Sequence, residues 1–243
     1  GVPTFQVPGS QQFMTTLRND GFPVMPDFEK THSFNLPGRV RNLLEVAQIP
    51  TLVTGLKEGT EGWHRPWLVN IEQSMNSGAQ IFQMDMSLMS VNFESTYLGQ
   101  LARMYAQYRG DVIITLTFCG TAMTTGKILI AYTPPGANPP ADRTEAMLGT
   151  HVVWDIGLQS SVTMAIPFIS TVQARYTGVE ESTLSYCGYI TAWLQTKLVH
   201  PAGVPTTSPI VVYASASNNF TFKCPIDSAY FQGLGDQITS QVE

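Results

Sequence analysis

Apolar and polar residues alternate along several short stretches, and each stretch has the length of a β-strand. Phe82, Met84, Met86 and Leu88 share one face of a strand over 82–88, with Gln83, Asp85 and Ser87 on the other. Val112–Cys119 repeats the pattern, with Val112, Ile114, Leu116 and Phe118 turned inward. Ile128–Thr133 is a continuous apolar and β-branched run, stopped by Pro134, Pro135 and Gly136, because proline cannot donate to a strand ladder. Val152–Asp155 and Val162–Ile166 are two further strands, and Leu68–Ile71 is a short one. Tyr189–Val199 puts Ile190, Ala192, Leu194 and Leu198 on one face. Ile210–Ala214 and Phe220–Cys224 read as one bent strand, with Ser215–Asn219 at the bend.

Helical spacing is rarer. Leu98, Leu101, Met104, Tyr105 and Tyr108 recur with a period near 3.6, predicting a helix over Tyr97–Tyr108 that Ser95 or Thr96 caps and Gly110 ends. Asp142, three residues before Glu145, has capping-box spacing, and Gly149 stops a helix of at most two turns. Val40–Val46 allows another turn or two. About eight strands without alternating helices predict an all-β antiparallel sandwich. Periodicity leaves an eight-stranded jelly roll and an immunoglobulin-like sandwich both open.

Residues 1–66 differ from the rest. Prolines at 3, 8, 23, 26, 37, 50 and 66 favour extended backbone. Phe5, Phe13, Leu17, Phe22, Val24, Met25, Phe28, Phe34 and Leu36 nevertheless need cover, so the segment predicts an extended arm lying on another surface. The expected division is an arm at 1–66, a sandwich at 67–225 and a tail at 226–243.

Composition changes the picture in one respect. Charged residues are 13% of the chain, about half the usual share, while hydrophobic residues are an ordinary 43%. Much of the surface is therefore neutral, as in a protein covered by partners or in a Ser- and Thr-rich secreted domain. The net charge of −5 and the lack of any basic run argue against a free-standing nucleic-acid binder. Cys119, Cys187 and Cys224 have no metal-ligand spacing and are expected to be reduced, mostly buried thiols of a cytosolic chain. The charge-free run 156–174 is broken by Gly157, Gln159, Ser160, Ser161 and Pro167, so it predicts no membrane span. A start at Gly1 rather than Met suggests proteolytic release or trimming.

Candidate chemistry is thin. His151 and Asp155 share a face of a strand but lie roughly 13 Å apart, too far for a direct hydrogen bond. Cys119 and Cys187 precede glycines but sit in or beside apolar strands, poor settings for a nucleophile. No serine elbow, metalloprotease helix or phosphate-binding loop appears. Asn219-Phe220-Thr221 matches a glycosylation sequon, which the cytosolic reading disfavours. A shell subunit and a jelly-roll binding module remain. A cupin would need a cluster of histidines and a glutamate, absent here. A lectin is discriminated by the arm, which a monomeric lectin does not use.

YTPPGA at 132–137, AMLGTHVVWD at 146–155, GLQSSVT at 157–163 and IP at 166–167 resemble the picornavirus capsid proteins, specifically the third major capsid protein of enteroviruses. LPGRVRNLLEV at 36–46 and the opening GVPTFQVPGS fit the same family. The resemblance implies a jelly roll with a structural, non-enzymatic role, no cofactor and no metal, made by polyprotein cleavage. Partners implied are the first, second and fourth capsid proteins, copies of itself at the five-fold axis, a host receptor, and genomic RNA on the inner face. Assembly would occur in the host cytoplasm and end in the virion capsid. Gly1, Val2, Pro3, Thr4, Phe5 and Gln6 would form a small cylinder beneath the five-fold axis. A receptor-facing surface would draw on Arg175, Glu180, Glu181 and Ser182 in the loop 170–186, and on Tyr230 and Gln232 in the tail. Val24 would lie near a fatty-acid pocket of the neighbouring first capsid protein. The chain departs from the family in ending Gln241-Val242-Glu243 rather than in Gln.

Overall fold

A computed structural model describes residues 40–56, 68–177, 185 and 187–226. The chain divides into two compact units, 1–40 and 41–243, and the second is described here. Its strands are β1 (Thr51–Leu52), β2 (Leu68–Glu72), β3 (Gln80–Asp85), β4 (Tyr105–Arg109), β5 (Val112–Phe118) and β6 (Thr125–Thr133). They continue as β7 (Thr150–Asp155), β8 (Ser161–Ile166), β9 (Arg175–Tyr176), β10 (Tyr189–Val199), β11 (Thr207–Ala216) and β12 (Thr221–Pro225). The helices among the described residues are α1 (Leu43–Ala47), α2 (Tyr97–Ala102) and α3 (Arg143–Leu148).

The first sheet runs β2-β11-β5-β8 and the second β3-β10-β6-β7, with every pair antiparallel. The chain passes back and forth between them, with β6 and β7 consecutive in the second sheet, and this interleaving is the connectivity of a jelly roll. Seven of the expected eight strands correspond to strands of these sheets, and the eighth, expected as one bent strand, contributes only its first part as β11. β1 pairs with Tyr213 and Ala214 of β11, just beyond the stretch taken by β2. A third, small sheet runs β12-β4-β9.

Alternation explains the core. Val112, Ile114, Leu116 and Phe118 of β5 are buried against Phe82 and Met84 of β3 and Ile190, Ala192 and Leu194 of β10. β6 is buried on both faces. Ile128 and Ile130 enter this core, while Leu129 and Ala131 form a second cluster with Trp193 and Ala146 of α3. The Asp142 side chain accepts the Glu145 amide at 2.7 Å, and Glu145 reaches back to the Ala141 amide at 2.9 Å. The predicted acidic cap of α3 is thus in place.

Three expectations change. The helix at 97–108 stops at Ala102, and 105–109 forms β4. Leu98 and Leu101 keep the helical face, and Thr96 caps it by accepting the Gly99 amide at 3.0 Å. Beyond them, Tyr105 stacks on Phe222 at 4.8 Å and Tyr108 on Phe220 at 5.6 Å. Cross-strand aromatic pairs from a distant segment override the local helical spacing. Gly110 then turns the chain at φ +126, where an added Cβ would lie 2.4 Å from the Phe220 Cα. Second, 207–225 is not one bent strand: β11 belongs to the first sheet and β12 to the third. Third, the arm boundary moves from 66 toward the N-terminus. α1 and β1 pack on the sandwich, with Ala47, Val53 and Leu56 buried.

Candidate functional site

The expected cylinder residues (Gly1, Val2, Pro3, Thr4, Phe5, Gln6), Val24, and the surface residues Glu180, Glu181, Ser182, Tyr230 and Gln232 lie outside the described residues. Arg175 is described, and it corrects an expectation. It is 4% exposed rather than solvated. Its Nε donates to the Ile169 carbonyl at 3.0 Å and its Nη2 to the same oxygen. A charged residue amid polar neighbours reads as exposed, but this guanidinium folds inward to hold the chain entering β9.

The third sheet gives the expected surface a geometry that sequence did not supply. β9 and β12 flank β4 and both run antiparallel to it, so they run parallel to each other. The chain therefore leaves both strands at the same end of β4. Thr177 donates its amide to Ala106 at 3.0 Å, and Ile226 donates its amide to Met104 at 2.9 Å. Two strand spacings, about 10 Å, separate the exits. Met104, Tyr176 and Ile226 are exposed apolar side chains there. The segment after Thr177 and the tail after Ile226 thus start side by side, although about 50 residues separate them in sequence.

Tyr108 of this sheet belongs to a group of titratable side chains with Cys187, Tyr132 and Arg175. Tyr132 donates its hydroxyl to the Cys187 carbonyl at 2.8 Å. Burial pushes the Tyr132 phenol up to about 12, with the neighbouring Cys187 adding to it and Arg175 opposing it. Burial raises the Tyr108 phenol as well, and it raises the Cys187 thiol. A thiol held protonated is a weak nucleophile. Cys119 and Cys224 are exposed, which corrects the expectation of mostly buried thiols; each lies at a strand end rather than inside the sandwich.

The other candidates stay apart. His151 bonds the Gly149 carbonyl through Nδ1 at 2.9 Å, and Asp155 accepts the Gly157 amide at 3.0 Å. The Asn219 amide nitrogen is engaged with Asp111 at 3.1 Å. Among the described residues no His, Cys, Asp and Glu group is placed to hold a metal ion, and no helix is long and apolar enough to cross a membrane.

The exposed apolar groups carry more information. Leu148 on α3 is 85% exposed and Leu158, between β7 and β8, is 84% exposed. Val152 and Val153, adjacent in β7 and so on opposite faces, are each 45% exposed. Among the described residues β7 is an edge strand, with no strand paired to its outer side.

Two interleaved antiparallel sheets with exposed apolar edges define a jelly roll. Comparison with known proteins agrees. The family model for picornavirus capsid proteins matches residues 28–194. The chain is 44% identical over 235 residues, 93% of its length, to the genome polyprotein of bovine enterovirus (strain VG-5-27). It spans 11% of that polyprotein. Among solved structures it resembles a chain of the cryo-EM structure of rhinovirus-B5, with a TM-score of 0.77 and 39% identity, covering 94% of this chain and 98% of that one. The chain belongs to the picornavirus capsid protein family. It is a structural subunit of the virion capsid, a role that implies assembly with other capsid proteins.

Proposed function

We propose that the chain is the third major capsid protein of an enterovirus, acting through assembly and carrying no enzymatic activity. The observation that supports this most directly is coverage. Nearly the whole chain aligns with nearly the whole of one rhinovirus-B5 chain. The exposed apolar edges at α3 and β7 support the same reading, because groups such as Leu148 and Val153 gain by burial against partners. Each contact is weak by itself, and closed symmetry sums many of them. In this reading the partners are the first, second and fourth capsid proteins. The N-termini of five copies, Gly1–Gln6, join in a cylinder with Val2 and Phe5 as apolar contacts. Genomic RNA lies against the inner face, Val24 lies near the pocket of the first capsid protein, and assembly takes place in the host cytoplasm.

Receptor attachment is the second element of the proposal. The shared exit of β9 and β12 supports it, since both expected surface segments start from one end of the third sheet. Arg175 then serves as an internal anchor for that surface rather than as a contact.

The test is co-expression with the sister capsid proteins and the viral protease, followed by sedimentation. The full chain is expected to yield pentamers, and deletion of residues 1–10 to prevent them. Pentamers formed equally well without residues 1–10 would refute the cylinder.

A further inference from the structure

We propose that the open end of the sandwich, between β7 and β8, is a binding site for a small, neutral, largely aliphatic molecule. The proposal does not rest on the assembly reading. β7 belongs to the second sheet and β8 to the first, and a short turn joins them at 156–160. At that turn the sheets are closed by Trp154, which is buried and donates Nε1 to the Gln159 carbonyl at 2.9 Å. Thr150 and Ile166 are the far ends of the two strands, away from this turn. A cavity of about 250 Å³ lies there, lined chiefly by Ile130, Tyr132, Val152, Met164, Ile166 and Ile169.

The chemistry of the lining sets the ligand class. An apolar cavity of about 150 Å³ accommodates benzene, so this one fits on the order of ten heavy atoms. No Asp, Glu, Lys or Arg lines it, and its polar side chains are those of Tyr132, Thr150 and His151, with the Tyr132 hydroxyl already bonded to the Cys187 carbonyl and His151 Nδ1 to the Gly149 carbonyl. A carboxylate entering it would lose hydration and meet no lysine or arginine. Two walls are braced from behind: the Tyr132 hydroxyl is tied to the Cys187 carbonyl at 2.8 Å, and the Ile169 carbonyl to Arg175 Nε at 3.0 Å. A third wall is adaptable, because the unbranched Met164 thioether can refit to different shapes.

The probe is 1-octanol, with octanoate as its charged counterpart, titrated into the full chain carrying labelled Ile and Met methyl groups. Saturable shifts are expected at Ile130, Met164, Ile166 and Ile169, with octanol binding roughly tenfold or more tighter than octanoate. The Arg175 Nε–H resonance should move with them. Val152→Phe places a ring at the half-exposed rim and should abolish the saturable shifts, while Met164→Leu, which conserves the lining, should retain them. Retained melting cooperativity shows that Val152→Phe still folds. Shifts that never saturate, or saturable binding unchanged in Val152→Phe, would overturn the site. Equal affinity for octanoate would overturn the neutral class of ligand.

Discussion

Asp111 joins three segments that are far apart in sequence, and its removal is the sharpest test of how the sandwich is held. Its carboxylate accepts the Phe168 amide at 2.8 Å and the Asn219 side-chain amide at 3.1 Å. Asn219 Oδ1 in turn accepts the Asp111 amide at 3.0 Å. The start of β5, the exit of β8 and the turn between β11 and β12 are thereby locked together. Asp111→Ala removes both acceptors and leaves the partly buried Phe168 N–H unpaired. Hydrogen bonds to a charged group contribute about 1.5–3 kcal/mol each. The Asn219 bond is exposed and counts for less, so the expected loss is about 2–4 kcal/mol. For a chain of this length that corresponds to a fall in melting temperature of roughly 5–15 °C. Asp111→Asn keeps one acceptor oxygen for Phe168 and should cost about 1 kcal/mol. Thermal and urea unfolding followed by circular dichroism measure both. A double-mutant cycle with Asn219→Ala should show a coupling of about 1 kcal/mol. If Asp111→Ala unfolds within about 0.5 kcal/mol of the parent chain, the three-way junction contributes nothing and the reasoning fails.

Gly188 sits at φ +103, and an added Cβ would lie 2.0 Å from the Thr133 carbonyl oxygen, so Gly188→Ala should cost more than about 3 kcal/mol and sharply reduce soluble yield. Asp142→Ala removes the cap of α3 and should cost about 1 kcal/mol, seen as faster amide exchange confined to 143–148. Thiol titration of the native chain should modify Cys119 and Cys224 rapidly and Cys187 only on unfolding; equal rates for all three would contradict its burial. Above the ordinary phenol value of 10 the unfolded chain loses the Tyr132 proton while the folded chain keeps it until about 12. The stability tied to that proton is full below 10 and is lost as pH rises from there toward 12. An alkaline unfolding curve with no extra slope in this window, relative to Tyr132→Phe, would contradict that sign.

Most sandwich strands are legible because one face is buried and alternation records it, while β6, buried on both faces, is legible as a continuous apolar run. β5 is the clearest case, with Val112, Ile114, Leu116 and Phe118 all inside. The cap of α3 was legible because Asp142 and Glu145 act within one turn. What escaped depended on distant partners. β4 was hidden by helical spacing, since its identity comes from stacking on Phe220 and Phe222, more than a hundred residues away. The packing of 41–56 was hidden because β1 is only two residues long and is defined by β11. Arg175 was misjudged because a single charge carries no sign of the carbonyl that will receive it. The edge cavity had no sequence signal, since its walls come from both sheets.

The most direct test of the central claim is the native mass of the particles formed when this chain is produced with its sister capsid proteins and the viral protease. Mass photometry should find pentamers that pass on to closed shells, with this chain present in equal number to its sisters. A stable monomer that never enters such a complex would contradict the structural role, whatever the quality of the jelly roll.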